Sequence, residues 1–141
     1  MVRVVIDTNS LVSAILSHRG NCARIVNLFR EDRIEVAISN GILEEMERVL
    51  HYPKIRKRHG WNPEQIHLFL KEFERFCVSV SPPIRDSVIL EKDPSDDKYI
   101  LCAMASQASY IVTGDKTLLE LAQYEGIQIV SPKKFLELEK F

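Results

Sequence analysis

Apolar residues follow two alternating rhythms along this chain: short β-branched runs, and stretches in which they recur every three or four positions. The first run, Arg3-Val4-Val5-Ile6, ends at Asp7. Its unbroken apolar character predicts a strand buried on both faces. Asn9 or Ser10 is then expected to cap a helix carrying Leu11, Val12, Ile15 and Leu16. A second helix is expected from about Cys22 to Arg30, with Ile25, Val26 and Phe29 facing inward. Ile34-Glu35-Val36-Ala37-Ile38 reads as the next strand, stopped by Ser39-Asn40-Gly41. A helix follows through Leu50, and Pro53 is expected to close it.

Asn62-Pro63 marks a further helix start, a capping side chain followed by proline at the first helical position. Ile66, Phe69, Leu70, Phe73 and Phe76 mark one face of that helix. Cys77-Val78-Ser79-Val80 reads as a short strand ending before Pro82-Pro83. Asp93-Pro94-Ser95-Asp96-Asp97 leads into a helix with Tyr99, Ile100, Ala103 and Met104. Tyr110-Ile111-Val112-Thr113 is a third clear strand, and Gly114-Asp115 begins a helix that Gly126 is expected to end. Ile127-Gln128-Ile129-Val130 is the last strand, and Ser131-Pro132 opens a short helix with Phe135 and Leu136. Strand–helix alternation predicts an α/β fold: a central parallel sheet with helices on both faces, joined by right-handed crossovers.

Composition narrows the class. The 141 residues suit a single domain, with no linker, repeat or low-complexity tract along residues 1–141. Apolar residues at 45% and charged residues at 28% are the balance of a soluble globular protein. The net charge of −1 means the whole molecule does not attract nucleic acid, so any such contact needs local patches or bound cations. His18, His51, His59 and His67 lack metal-ligand spacing; Cys22, Cys77 and Cys102 lack it as well and are odd in number. They suggest small thiols in a reducing compartment. No signal peptide or membrane span is read, and the expected location is cytoplasmic.

The chemistry lies in the acids. Sites in open parallel sheets form outside the carboxyl ends of the strands. Asp7 ends the first strand there, and Asp115 follows the third clear strand. In the helix Gly41–Leu50, the apolar arc is Ile42, Leu43, Met46, Val49 and Leu50. Glu45 borders this arc, Glu44 points to solvent, and Glu47 lies farther off. Asp96 and Asp97 sit in the first turn of the helix bearing Ile100 and Met104. Taken singly, most of these acids suit a helix cap, a helix dipole or a solvated face. Asp7 does so less easily, because an acid directly after a buried strand must be compensated. Convergence of four carboxylates, with no matching Lys or Arg set nearby in sequence, calls for a cation. Hard oxygen donors suit Mg²⁺ or Mn²⁺, ions that stabilise a transferring phosphoryl group and activate water.

The ordered set Val5-Ile6-Asp7-Thr8-Asn9, Ile42-Leu43-Glu44-Glu45 with Val49-Leu50, Asp93-Pro94-Ser95-Asp96-Asp97 and Tyr110-Ile111-Val112-Thr113-Gly114-Asp115-Lys116 resembles the PIN domain nucleases over nearly the whole chain. It is most similar to toxin-type PIN proteins of bacteria and archaea. The resemblance implies a three-layer α/β/α fold and a Mg²⁺- or Mn²⁺-dependent endoribonuclease. Such proteins are often homodimers or higher oligomers held inactive by a small antitoxin. It also implies that Asp7, Glu45, Asp97 and Asp115 hold metal, supported by hydrogen bonds from Asn9 and Thr113. Glu44 and Asp96 are the adjacent alternates.

Two further features have competing readings. Lys54, Arg56, Lys57, Arg58 and His59 suit a nucleic-acid backbone, with Trp61 or Tyr52 stacking on a base. They equally suit a solvated connector anchored by Trp61. The Ile66–Phe76 stripe is more often core than a dimer or antitoxin surface. Among other functions, a haloacid-dehalogenase-like phosphatase needs an acid where Asn9 stands. A response-regulator receiver needs an acidic pair near the first strand. The alternative from another class is a catalytically inactive RNA- or protein-binding module on the same fold.

Overall fold

The computed structural model describes residues 1–83 and 88–141. Strands β1 (Arg3–Ile6), β2 (Glu35–Ile38), β3 (Val78–Ser79), β4 (Tyr110–Val112), β5 (Gln123–Tyr124) and β6 (Ile127–Val130) form one sheet in the order β3-β2-β1-β4-β6-β5. Pairing is parallel throughout except at the β5–β6 edge. The register sets Val4 beside Val36 and Tyr110, and Ile111 beside Val5 and Ile129. Val4, Val5 and Ile111 are wholly buried, as runs without polar alternation require when both faces are covered.

The helices are α1 (Thr8–Leu16), α2 (Asn21–Arg30), α3 (Asn40–Leu50), α4 (Pro53–His59), α5 (Pro63–Phe76), α6 (Asp97–Ser106), α7 (Lys116–Leu121) and α8 (Pro132–Leu138), with a 3-10 turn at Pro94–Asp96. The chain moves outward from β1 to β2 and β3, then returns to β4 on the other side of β1. Helices α1 to α5 pack against one another, and α6 lies against β1, β2 and β4. The reversal between β1 and β4 makes their carboxyl ends the switch point, where α/β sheets open a crevice.

Four local expectations change. Asp7, not Asn9 or Ser10, caps α1, because its carboxylate reaches the Ser10 N–H at 3.0 Å. Pro53 does not end helical structure but opens α4, since its missing N–H costs nothing at the first helical position. The basic stretch is therefore helical, and Gly60 ends it with φ of +71°. The helix after Asp115 stops at Leu121, well before Gly126. Gln123–Tyr124 then pairs antiparallel with β6, and Gly126 supplies the positive φ of +84° at the turn. The Asn62-Pro63 start forms as expected, as a full capping box with Gln65.

The aromatic face of α5 is graded. Ile66 is buried beneath it with Val12 and Leu50, while Phe69, Leu70 and Phe73 are half-buried. Phe76, expected on the inward face, is 64% exposed at the helix end.

Candidate active site

Asp7 leaves β1 at the switch point and is 4% exposed. Its N–H joins the sheet through Val112 O at 3.1 Å, which ties the end of β1 to the end of β4. The carboxylate needs donors at this depth. Ser10 N–H supplies one to Oδ1 and the Thr113 hydroxyl supplies another to Oδ2 at 2.5 Å. The same Thr113 oxygen accepts Asp115 N–H at 2.9 Å, and Asp115 Oδ2 caps α7 through Leu118 N–H at 3.0 Å. Thr113 is wholly buried, so Asp7 and Asp115 share a fixed bridge.

Glu45 enters from α3 and is half-buried, while Glu44 and Glu47 are exposed. Its described bonds gather on one oxygen. Oε2 accepts the Thr8 hydroxyl at 2.9 Å, lies within hydrogen-bond reach of the Tyr99 hydroxyl, and pairs with Lys98 Nζ at 3.5 Å. Tyr99 OH also stands 2.8 Å from Thr8 Oγ1 and accepts Thr8 N–H at 3.2 Å. Burial pushes the Glu45 carboxyl up, but Tyr99, Thr8 and Lys98 outweigh it and hold the pKa below the usual value. Burial, then the bond to Glu45, raises the Tyr99 hydroxyl, so it stays a donor.

The two adjacent acids at the start of α6 take different work. Asp97 was expected to face the cluster, but both its oxygens are engaged elsewhere. Oδ2 accepts Ile89 N–H at 2.9 Å and Oδ1 accepts Leu90 N–H at 2.8 Å. It braces the chain entering the 3-10 turn. Asp96 carries the electrostatic signature of the cluster. Burial, followed by the charges of Asp93, Asp115 and Glu45, pushes its pKa up to about 7. Asn9 is exposed, and among the described residues no hydrogen bond joins its side chain to these acids. The hydroxyls that bond Glu45 are those of Thr8 and Tyr99.

Three contributors to this arrangement have no local signal in the sequence: Thr8, Tyr99 and Lys98. Thr8 lay inside the Asp-Thr-Asn motif, but its role needs α3 alongside. Tyr99 lies on the core face of its helix, and its phenol end reaches Glu45 from there. Lys98 was unforeseen, although it sits directly after the acidic pair: a cation does stand among these carboxylates. Asp93, in the same motif, adds its charge to the field on Asp96.

Acids thus converge from β1, α3, the turn before α6 and the end of β4. Among the described residues, no three His, Cys, Asp or Glu side chains stand close enough to hold a metal ion as they are. The donor chemistry nevertheless fits a hard divalent cation. Without one, mutual repulsion is met by Lys98 on Glu45 and by a readily held proton on Asp96.

A family model for the PIN domain matches residues 3–117 of this chain. An uncharacterized protein of the archaeon Methanocaldococcus jannaschii is 34% identical, covering 99% of this chain and 94% of its own. A crystal structure of a Pyrobaculum aerophilum protein superposes with a TM-score of 0.61 at 17% identity. That match covers 99% of this chain and 91% of the other, a likeness of fold.

Proposed function

Because the chain belongs to the PIN domain family, whose members are generally nucleases, we propose that it is a metal-dependent endoribonuclease acting through Asp7, Glu45, Asp96 and Asp115. The observation carrying this reading is the buried Thr113 bridge between Asp7 and Asp115 at the sheet's switch point, with Asp96 near enough to Asp115 and Glu45 for their charges to raise its pKa. Mg²⁺ or Mn²⁺ held there would supply charge neutralisation of the phosphodiester and a more acidic water.

The chain's own residues arrange the acids for that task. Thr113 fixes the spacing of Asp7 and Asp115. Thr8, Tyr99 and Lys98 hold Glu45 by Oε2, which leaves Oε1 for a cation. Asp97 sets the approach of α6 by pinning Ile89 and Leu90, so it is a positioning residue in this reading.

We propose further that it acts as a toxin, held inactive by a small antitoxin and assembled as a homodimer. This role is supported by the sequence resemblance to toxin-type PIN proteins. The second reading, an inactive RNA- or protein-binding module, draws on the open spacing of the acids. RNA cleavage with Mn²⁺, abolished by EDTA and by Asp7→Asn, supports the enzyme. A wild-type protein inert in both Mg²⁺ and Mn²⁺ supports the module.

A further inference from the structure

Helix α4 concentrates charge in a molecule whose net charge is −1. Ile55 is half-buried against the small core of Val12, Leu50 and Ile66, which orients the short helix. Lys54, Arg56, Lys57 and Arg58 are consequently all exposed. Among the described residues, none of the four has a carboxylate within ion-pair distance. Unpaired cations gathered on one turn repel each other, so an anionic ligand is their natural complement.

Beside them lies an open cavity of about 420 Å³, lined by His51, Pro53, Arg56, Lys57, Gly60 and Trp61. Its aromatic wall is built firmly. Trp61 lies 5.0 Å from the His59 ring and 5.1 Å from the Phe69 ring, centroid to centroid. His59 is committed to the fold: Nδ1 accepts Trp61 N–H and Nε2 donates to Leu50 O, both at 2.9 Å. It therefore leaves the phosphate-gripping set expected from sequence, and the connector is a helix with Trp61 as its anchor. The volume lies within the usual range for small-ligand pockets, and the lining combines the Trp61 aromatic ring with two cations, Arg56 and Lys57. That combination fits one nucleotide unit: base against Trp61, phosphate between Arg56 and Lys57.

We infer that this corner of α4 is a second contact for single-stranded RNA, separate from the carboxylate centre. The inference rests on the ribonuclease reading for its choice of polymer. Glu45 and Leu50 are roughly 8 Å apart along α3 at 1.5 Å per residue, so a strand leaving the acids along α3 arrives at α4 within a few nucleotides. The acids repel phosphate until cations are bound. A basic grip beyond them holds the strand and brings it to them.

Trp61 is the sole tryptophan of the chain, so its fluorescence reports this pocket directly. The test titrates a single-stranded 20-nucleotide RNA into full-length protein with Ca²⁺ in place of Mn²⁺. Binding is followed by Trp61 emission and by anisotropy of end-labelled RNA. Arg56→Gln with Lys57→Gln is the variant; both residues are exposed, and an unchanged thermal melt verifies the fold. RNA is expected to change Trp61 emission in the wild type and not in the variant. The variant should bind several-fold more weakly, with the slope of log K against log salt smaller by about 0.7, the single-strand value for the one phosphate held between Arg56 and Lys57. Unchanged emission in the wild type, or an unchanged slope in the variant, overturns the inference. Loss of the enzyme reading registers separately, as absence of Mn²⁺-dependent cleavage.

Discussion

The Thr113 hydroxyl donates to Asp7 Oδ2 at 2.5 Å while accepting the N–H of Asp115, so one buried side chain sets two acids from distant parts of the chain. Thr113→Val removes both bonds with little change in volume. It strands a buried carboxylate oxygen and a backbone N–H, at a cost of roughly 1–3 kcal/mol. Thr113→Ser keeps the hydroxyl and should lose far less. Thermal unfolding of the pair checks this, and equal melting temperatures would show that the bridge is immaterial.

Asp7→Asn separates chemistry from folding. Asparagine caps helices about as well as aspartate, so α1 should persist with a loss below about 1 kcal/mol. The amide can turn its Nδ2 toward Thr113 and keep that contact. Manganese-dependent RNA cleavage should nevertheless vanish, because a neutral ligand replaces the most deeply buried carboxylate of the set. Cleavage surviving in this variant and in excess EDTA would remove the metal mechanism.

The outer frame of this site was legible in the sequence, and its inner allocation was not. Asp7 and Asp115 follow strands, so the parallel topology alone sends them to one edge. The apolar arc of α3 singles out Glu45 from Glu44 and Glu47. Asp96 and Asp97 are neighbours at a helix start, where periodicity weakens, and a 3-10 turn intervenes there. Their division depends on Ile89 and Leu90, which no local pattern places nearby. Thr8, Lys98 and Tyr99 act only because α6 and α3 meet beside α1. Strand β5 has two residues, too few for any rhythm, and Pro53 carries the same signal for a helix ending as for one beginning.

That division yields a paired comparison. Asp96→Asn should weaken Mn²⁺ binding at least tenfold, or about 1.4 kcal/mol, with the fold intact. Asp97→Asn keeps one acceptor oxygen for Ile89 or Leu90 but loses the charge that strengthened both bonds. It should lower the melting temperature more than Asp96→Asn does, and affect metal binding less. Calorimetric titration of Mn²⁺ beside thermal melts distinguishes the two. The reverse ranking would restore Asp97 as the ligand.

Asp96 also gives the site a pH dependence. Its pKa in the fold, about 7, lies above the ordinary carboxylate value, so the folded state holds the proton more tightly than the unfolded chain. This group's contribution to metal-free stability is complete below a pH of about 4. It is lost as pH rises through about 7. Metal must displace that proton, so Mn²⁺ affinity should rise between about pH 6 and 8 and then level. Asp96→Asn should flatten both profiles in the same window. A wild-type affinity that is flat there would show that Asp96 is ionised throughout.

Lys98 and Tyr99 both touch Glu45, yet their removal should act in opposite directions on the metal. Lys98 Nζ is a positive charge 3.5 Å from Glu45 Oε2, in a pair whose side chains are only 22% and 20% exposed. A divalent cation entering the acids meets that charge as a competitor. Lys98→Gln removes the repulsion while Thr8 and Tyr99 still hold the carboxylate, so Mn²⁺ should bind roughly three- to tenfold more tightly. Tyr99→Phe deletes a neutral donor that orients Glu45 and opposes nothing, so Mn²⁺ should bind more weakly. If Lys98 instead acts mainly as a tether for Glu45, both substitutions weaken binding. The sign of the Lys98→Gln effect in a calorimetric titration therefore decides whether this lysine stands in for the metal or merely positions its ligand.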